Sequence, residues 1–285
     1  MIKRVTNNDE WQMIKRKLAW LQWFLLFSGV ALLNTGVVAD EAQWELGIGL
    51  SVLDIPFYPG SSQRQTYLVP IPHILYRSEN IKVDNGLQAT FLKTPKLRFD
   101  LSADFGVPVN SEESIARQGM PDIDLVIQIG PSLEVTLAGG RFKPSHTRLE
   151  FPLRAAIATD FPSAQYVGWI FEPRLTFETR RPNKTGFAYL LSAGLRYATE
   201  KYNDYYYAVD QEFATATRPA FDPDGGYSGL FVDAIANWRT DNLIYFALVR
   251  YQNLSGAEFE NSPLVEQNDY IFVGAGLTWV FARNL

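Results

Sequence analysis

The sequence predicts an all-β fold: a transmembrane antiparallel β-barrel of about twelve strands that follows a cleaved N-terminal signal peptide. Three observations predict it. A short apolar run near the N-terminus has the layout of an export signal. No later run is long enough for a membrane-spanning helix. The rest of the chain alternates, over segments of about ten residues, between apolar and polar side chains.

The composition excludes several classes of site. The chain has 285 residues, a net charge of −5, two histidines and no cysteine. Disulfides, thiolate metal sites and lipidated cysteines are therefore impossible. An acidic chain without a basic run does not suit nucleic acid. We expect no catalytic, cofactor-binding or metal-binding residues.

The first 39 residues are predicted to be the signal peptide. Residues 15–17 are basic, residues 18–33 are apolar, and residues 37–39 are small enough for cleavage. Met13 is an alternative start. A membrane anchor is the competing interpretation, but the apolar run is short for a span of ~20 residues. The mature domain, 40–285, is then either a soluble periplasmic protein or an outer-membrane barrel.

The alternation is clearest between residues 148 and 160. The odd positions are apolar and the even positions carry charge. A soluble β-sandwich is the alternative, with the apolar face inside. We favour a lipid-facing apolar surface because aromatic side chains cluster on it near the predicted strand ends, as in the girdles of membrane barrels. These aromatics are Trp44, Trp169, Phe187, Tyr197, Trp238, Tyr245, Tyr251, Trp279 and Phe281.

Strand boundaries and loop lengths give the orientation. An even number of strands places both termini in the periplasm, and Asn85-Gly86 predicts a hairpin turn that keeps the number even. The long connections then share the external end and the short ones the periplasmic end. The predicted strands are 43–53, 66–77, 80–84, 86–93, 96–106, 122–138, 147–159, 165–181, 185–199, 226–239, 242–252 and 268–282.

Charged residues on the polar faces are predicted to point into the lumen. They either line a pore or pair with one another and close it, and both alternatives stay open because the two signs are mixed. We expect Glu172 and Arg174 each to pair with a charge on a neighbouring strand, such as Glu150, Arg154 or Arg196. The full set is Arg98, Asp100, Asp104, Asp124, Glu134, Glu150, Arg154, Glu172, Arg174, Glu178, Arg196, Asp233 and Arg250.

The longest external loop, 200–225, is rich in tyrosine. Tyr202, Tyr205, Tyr206 and Tyr207 lie within six residues. Tyrosine gives rigid, amphipathic contact area. The loop therefore either recognises a sugar or a protein at the cell surface, or plugs the mouth of the barrel.

Several segments resemble the MipA/OmpV family of outer-membrane proteins. They are residues 57–61 (FYPGS), 70–77 (PIPHILYR), 119–124 (GMPDID), 202–209 (YNDYYYAV), 225–227 (GGY) and 261–265 (NSPLV). Ala208 departs from the family, which often has glycine at this position. The chain ends in Leu285, whereas outer-membrane barrels usually end in an aromatic residue. Phe281 is then the expected signal for the barrel-assembly machinery.

The resemblance implies a scaffold for periplasmic murein (peptidoglycan) enzymes, synthetic and lytic. The predicted periplasmic turns carry Arg141, Lys143, Arg181 and Lys184 as its binding surface. A narrow channel for small solutes and an adhesin acting through the tyrosine-rich loop are the alternatives. We expect outer-membrane lipid as a further partner, no nucleic acid, and location in the outer membrane.

An enzyme is not expected. Ser145-His146 is the most suggestive pair, but we place it in a periplasmic turn, 139–146, with no carboxylate fixed beside it. His73 has no nucleophile next to it in the chain. A general base needs a nucleophile within hydrogen-bond reach.

Overall fold

The computed structural model describes residues 43–77, 81–83, 87–94, 96–139, 143–179 and 185–284. The predicted signal peptide, the alternative start Met13 and the Asn85-Gly86 turn lie outside these ranges. No helix in the described ranges is both long enough and apolar enough to cross a membrane.

The described residues form thirteen strand segments and one α-helix. The helix is α1 (Glu200–Tyr207), and two short 3₁₀ turns cover Ser111–Glu113 and Gln211–Phe213. The strands are β1 (Gln43–Pro56), β2 (Arg64–Arg77), β3 (Ile81–Val83), β4 (Leu87–Lys93), β5 (Leu97–Gly106), β6 (Leu125–Gly139), β7 (Ser145–Thr159), β8 (Ala164–Phe171), β9 (Arg174–Thr179), β10 (Gly186–Ala198), β11 (Gly226–Arg239), β12 (Leu243–Asn253) and β13 (Asp269–Asn284).

The strands form one antiparallel sheet that closes on itself. Apart from β8 and β9, strands that are consecutive in sequence pair in the sheet. β1 pairs with both β2 and β13, and β10 pairs with β11. Closure satisfies the backbone hydrogen bonds without water, which a membrane-spanning sheet requires. The predicted antiparallel β-barrel is confirmed.

One predicted strand, 165–181, is interrupted. The structure divides it into β8 and β9, and both segments pair with β7 and with β10. The interruption falls at Glu172-Pro173, where proline has no N–H to donate to the ladder. The two segments therefore occupy one position in the wall.

The outer surface of the barrel is apolar. On β7, lumen-facing Arg154 is 2% exposed and outward-facing Leu153 is 42% exposed. The outward-facing Ile48, Leu68 and Phe105 are at least 58% exposed. In water such a surface would be unfavourable, whereas in lipid it matches its surroundings.

Aromatic side chains mark both ends of this surface. At the end with the short turns, Trp238 stacks on Tyr245 with ring centroids 5.4 Å apart, and Trp279 and Phe281 are exposed beside them. At the other end, Tyr166 and Trp169 lie edge to face at 6.5 Å. Two aromatic belts of this kind are typical of the two membrane interfaces.

The long connections all leave the barrel at one end, which we call the loop end. They are residues 57–63, 107–124, 160–163, 199–225 and 254–268. The other end carries the short connections, and we call it the turn end. In outer-membrane barrels long loops face outward and short turns face the periplasm.

Candidate functional site: a capped mouth and an ionic lumen

Four of the loops pack together across the mouth of the barrel. We call residues 57–63, 107–124, 199–225 and 254–268 the loop cap. Its hydrophobic cluster joins strand residues of the upper lumen to buried side chains from all four loops. The loop side chains include Tyr58, Ile123, Tyr202, Tyr206, Tyr207, Phe259 and Leu264.

The tyrosine-rich segment folds as α1 and points into the barrel. Tyr202, Tyr206 and Tyr207 are at most 7% exposed. Thr199 begins the helix, since its carbonyl accepts from the N–H groups of Tyr202 and Asn203 at 2.9 and 3.1 Å. Of the two alternatives for this loop, the burial of these three side chains fits a plug of the barrel mouth better than an exposed recognition surface.

Gly168 on β8 lets α1 approach the wall. The Oγ1 of Thr199 accepts from the N–H of Trp169 at 3.0 Å, so the start of α1 is held against β8. A Cβ on Gly168 would lie 2.5 Å from that Oγ1 and 2.8 Å from the nitrogen of Tyr202, and the residue has a φ of +130°. Glycine has no Cβ to collide with α1 and adopts positive φ without strain.

The tyrosines of α1 bind the other loops. The ring of Tyr207 stacks on Phe259 at 3.7 Å, and its hydroxyl donates to the carbonyl of Pro59 at 3.0 Å. Burial raises the pKa of Tyr206 and Tyr207 well above the usual value, so both hydroxyls stay protonated. Burial also raises the pKa of Tyr205 to about 12.

Two arginines that the sequence analysis did not single out hold the cap together. Arg117 is 4% exposed and donates to the carbonyl of Tyr206 at 2.9 Å and of Pro121 at 3.1 Å. Arg218 donates to the carbonyls of Ala116 and Gln118 at 2.9 and 3.0 Å. Burial lowers the pKa of Arg117 relative to an exposed arginine.

The cap encloses a small cavity. A cavity of about 10 Å³ lies under α1, lined in part by Arg196, Tyr202, Ser228 and Phe259. Such a volume holds about one water molecule.

Below the cap, three arginines surround one carboxylate, which we call the Glu172 cluster. Glu172 is 2% exposed and contacts Arg154 on β7. The Nη2 of Arg196 on β10 lies 2.7 Å from Glu172, and that of Arg174 lies 3.2 Å away. Glu172 thus meets the expected partners on both neighbouring strands.

The partner of Arg174 differs from the prediction. Its ion pair is with Glu172, two residues away on the same side of the wall, rather than with a neighbouring strand. Its guanidinium also lies 5.4 Å from the ring centre of Phe231, and that of Arg250 lies 5.2 Å from the same ring. Arg250 pairs with Asp233 at 2.5 Å. The cation–π contact with Phe231 adds a favourable electrostatic interaction for each of these two guanidinium groups.

A second ionic layer fills the turn end. Arg98 lies 2.5 Å from both Asp100 and Glu134, and Arg148 lies 2.8 Å from both Glu150 and Glu178. A further pair joins Arg239 to Glu45 at 2.8 Å. Arg148 and Arg239 were not among the predicted lumen charges, although both occupy the lumen-facing parity of their strands.

Two further predicted lumen charges lie near the loop end, one in the cap and one beside the Glu172 cluster. Asp124 lies in the loop cap, where its N–H donates to the hydroxyl of Tyr205 at 2.8 Å, so its assignment to the lumen is wrong. Burial raises the pKa of Asp124. The side chain of Asp104 is 37% exposed and lies 3.7 Å from Arg154.

The Ser145-His146 pair lies in β7 rather than in a turn. Consecutive strand residues face opposite sides, and His146 faces the lumen with 4% exposure, 3.7 Å from Glu134 and from Glu178. Its neighbour Ser145 therefore faces the outside and does not form a nucleophile–base pair with it. His73 contacts Glu45 at 3.2 Å.

Of the predicted periplasmic surface, Lys143 is exposed at the turn end. Arg141, Arg181 and Lys184 lie outside the described residues.

The family model for MltA-interacting protein MipA matches residues 48–281 of this chain. The chain belongs to the MipA family. Outer membrane protein Omp26La of Vibrio anguillarum is 33% identical over 89 residues, which are 31% of this chain and 34% of that protein. The match thus spans about a third of the relative's length.

Solved structures of outer-membrane proteins align with this MipA-family chain at low similarity. The toluene transporter TodX of Pseudomonas putida is 10% identical, with a TM-score of 0.33 over 85% of this chain and 89% of that one. The outer membrane protease OmpT of Escherichia coli is 8% identical, with a TM-score of 0.31 over 87% and 99%. Together with the family and with Omp26La, the fold identifies the chain as an outer-membrane β-barrel protein.

Proposed function

We propose that this MipA-family barrel is a structural component of the outer membrane that holds a periplasmic murein enzyme at its turn end. The observation that supports the proposal is the loop cap. Three tyrosines of α1 are buried in the mouth, so they help to fill it and do not form an exposed tyrosine surface. We therefore place the partner at the turn end.

The nature of the partner is inferred from the family. Its name refers to interaction with MltA, and we infer that this chain binds a murein enzyme of that kind. Lys143, which is exposed, and the neighbouring basic residues predicted in the turns would attract an acidic surface on the enzyme. The proposal contains no catalytic step by the barrel itself.

A binding measurement with charge-reversed variants tests the proposal. Purified MltA is titrated against the barrel in lipid nanodiscs, with Lys143→Glu combined with Arg141→Glu and Lys184→Glu. We expect binding to weaken several-fold, and more at low salt, where exposed charges are less screened. Lys201→Glu, an exposed lysine on α1 at the loop end, is the matched control and should bind like wild type.

Two results would contradict the scaffold. If the turn variant binds normally and the Lys201 variant does not, recognition occurs at the external surface. If wild-type protein shows steady conductance in a planar bilayer with the cap intact, the barrel is a narrow channel.

A further inference from the structure

The lumen is open, rather than packed, in front of one apolar side chain of β11. Ile235 pairs with Leu190 of β10 and with Leu248 of β12. It lies two residues from lumen-facing Asp233, so it faces the lumen as well. Asp233 is 7% exposed, whereas Ile235 is 36% exposed. Because a side chain that points into a barrel is exposed only to its lumen, the space in front of Ile235 is accessible to water.

The side chains around this space are apolar. Leu190, Phe246 and Leu248 face the lumen and are half-buried. Gly276 of β13 pairs with Phe246, and a Cβ on Gly276 would lie 2.5 Å from the phenyl ring. The ring therefore lies against the wall and leaves the lumen open. We call Leu190, Ile235, Phe246 and Leu248 the apolar lumen patch.

Arginine side chains border the patch on the side of the loop end. Asp233 and its ion-pair partner Arg250 lie opposite each other two residues from Ile235, which is about 7 Å along the strand. Arg174 is close to Arg250, since both guanidinium groups lie within 5.4 Å of the ring centre of Phe231. The side chains of Arg250 and Arg174 are 25% and 17% exposed. Both are therefore accessible from the lumen.

Arginines outnumber the carboxylates that contact them at this level of the lumen. Within the described ranges, four arginines form ion pairs with three carboxylates, and three of the arginines share Glu172. These pairs therefore carry one positive charge in excess. Buried charges are normally paired, so the site favours an additional anion. The arginines are Arg154, Arg174, Arg196 and Arg250, and the carboxylates are Asp104, Glu172 and Asp233.

We propose that the lumen binds an amphipathic carboxylate, a molecule with one hydrocarbon body and one carboxylate group. The hydrocarbon body covers the apolar lumen patch and displaces the water in front of Ile235. The Nη1 groups of Arg174 and Arg250 have no hydrogen-bond partner in the part of the chain that the structure describes. Each can donate a charge-assisted hydrogen bond to the ligand carboxylate. The site goes beyond the proposed scaffold function and does not depend on it.

Displacement of a fluorescent carboxylate tests the proposal. Dansylundecanoate is titrated against the barrel in lipid nanodiscs, and the signal of protein-free nanodiscs is subtracted. Decanoate, decanol and acetate then compete with the dye, because decanoate carries both groups and the other two carry one each. We expect decanoate to displace the dye at a several-fold lower concentration than decanol or acetate. Equal displacement by decanol or by acetate overturns the proposal, since one of the two parts of the site would then contribute nothing.

Matched variants locate the dye. Ile235→Trp adds a ring inside the lumen, whereas Ala234→Trp adds the same ring at the next position, which is exposed on the outer surface. We expect Ile235→Trp to weaken dye binding several-fold and Ala234→Trp to bind like wild type. Arg174→Gln should also weaken dye binding, and Glu172 keeps two arginines in that variant.

A gel-mobility shift on heating verifies that each variant is folded. Equal dye binding by the Ile235→Trp and Ala234→Trp variants places the dye outside the lumen and overturns the proposal. Unchanged binding by Arg174→Gln overturns the role of the arginines.

Discussion

Replacing the buried carboxylate of the Glu172 cluster tests whether the lumen is dry. Glu172→Gln keeps the side-chain volume and one acceptor oxygen, so it creates no cavity and removes only the charge. It leaves three arginines facing one another, of which Arg154 is 2% exposed. Removing one partner of a desolvated ion pair costs about 3–5 kcal/mol, because the other charge stays buried and unpaired.

Urea unfolding in lipid vesicles, followed by tryptophan fluorescence, measures that cost. Glu150→Gln is the control: its side chain is 23% exposed, and its ion pair with Arg148 spans 2.8 Å, so we expect about 1 kcal/mol or less. Arg174→Ala should fall between the two, since Glu172 keeps its other arginines. If Glu172→Gln is no less stable than the Glu150 control, the cluster is hydrated and the lumen is not packed.

Three further variants test the cap and the wall. Gly168→Ala should displace α1 and speed chymotrypsin cleavage in the loop cap, whereas Gly186→Ala, also at positive φ but with no atom within 4 Å of the added Cβ, should not. Burial and the nearby acidic groups at positions 222, 200 and 210 raise the pKa of Asp204 to about 6. A carboxyl with a raised pKa destabilises the folded state above that pKa, and the effect disappears as the pH falls toward the unfolded value of about 4. Asp204→Asn should therefore unfold at higher urea than wild type at pH 7, and the difference should shrink at pH 5. Leu153→Arg, near the middle of β7, should cost ~2–4 kcal/mol in urea unfolding, and an unchanged midpoint would contradict its lipid-facing position.

The alternation of apolar and polar residues along each strand was sufficient to predict which side chains of the barrel wall face outward. Residues that alternate along a strand alternate between faces, so the apolar face of β7 could be assigned without knowing its neighbours. The same parity also marks Arg148 and Arg239 as lumen-facing, although they were not singled out. The break at Pro173 was missed because proline interrupts a ladder only in relation to the strands beside it.

Partners across the lumen needed the assembled sheet. The alternation along each strand predicts that Glu172 and Arg196 face inward. Their positions along the barrel axis, however, depend on the register between β8 and β10. For the same reason the expectation that Arg174 pairs across strands was wrong. Asp124 has the parity of a lumen residue, yet it precedes β6 and contacts Tyr205 in the cap.

The sequence by itself determined the alternating strands, the apolar outer face, the aromatic belts and the two unlike ends, because each follows from side chains close together in the chain. Only the tertiary structure decided that the tyrosine-rich segment is a helix buried in the mouth. That burial depends on Pro59, Arg117 and Phe259, which come from loops far apart in sequence. A short helix has little stability alone, so the surfaces that enclose α1 determine its conformation.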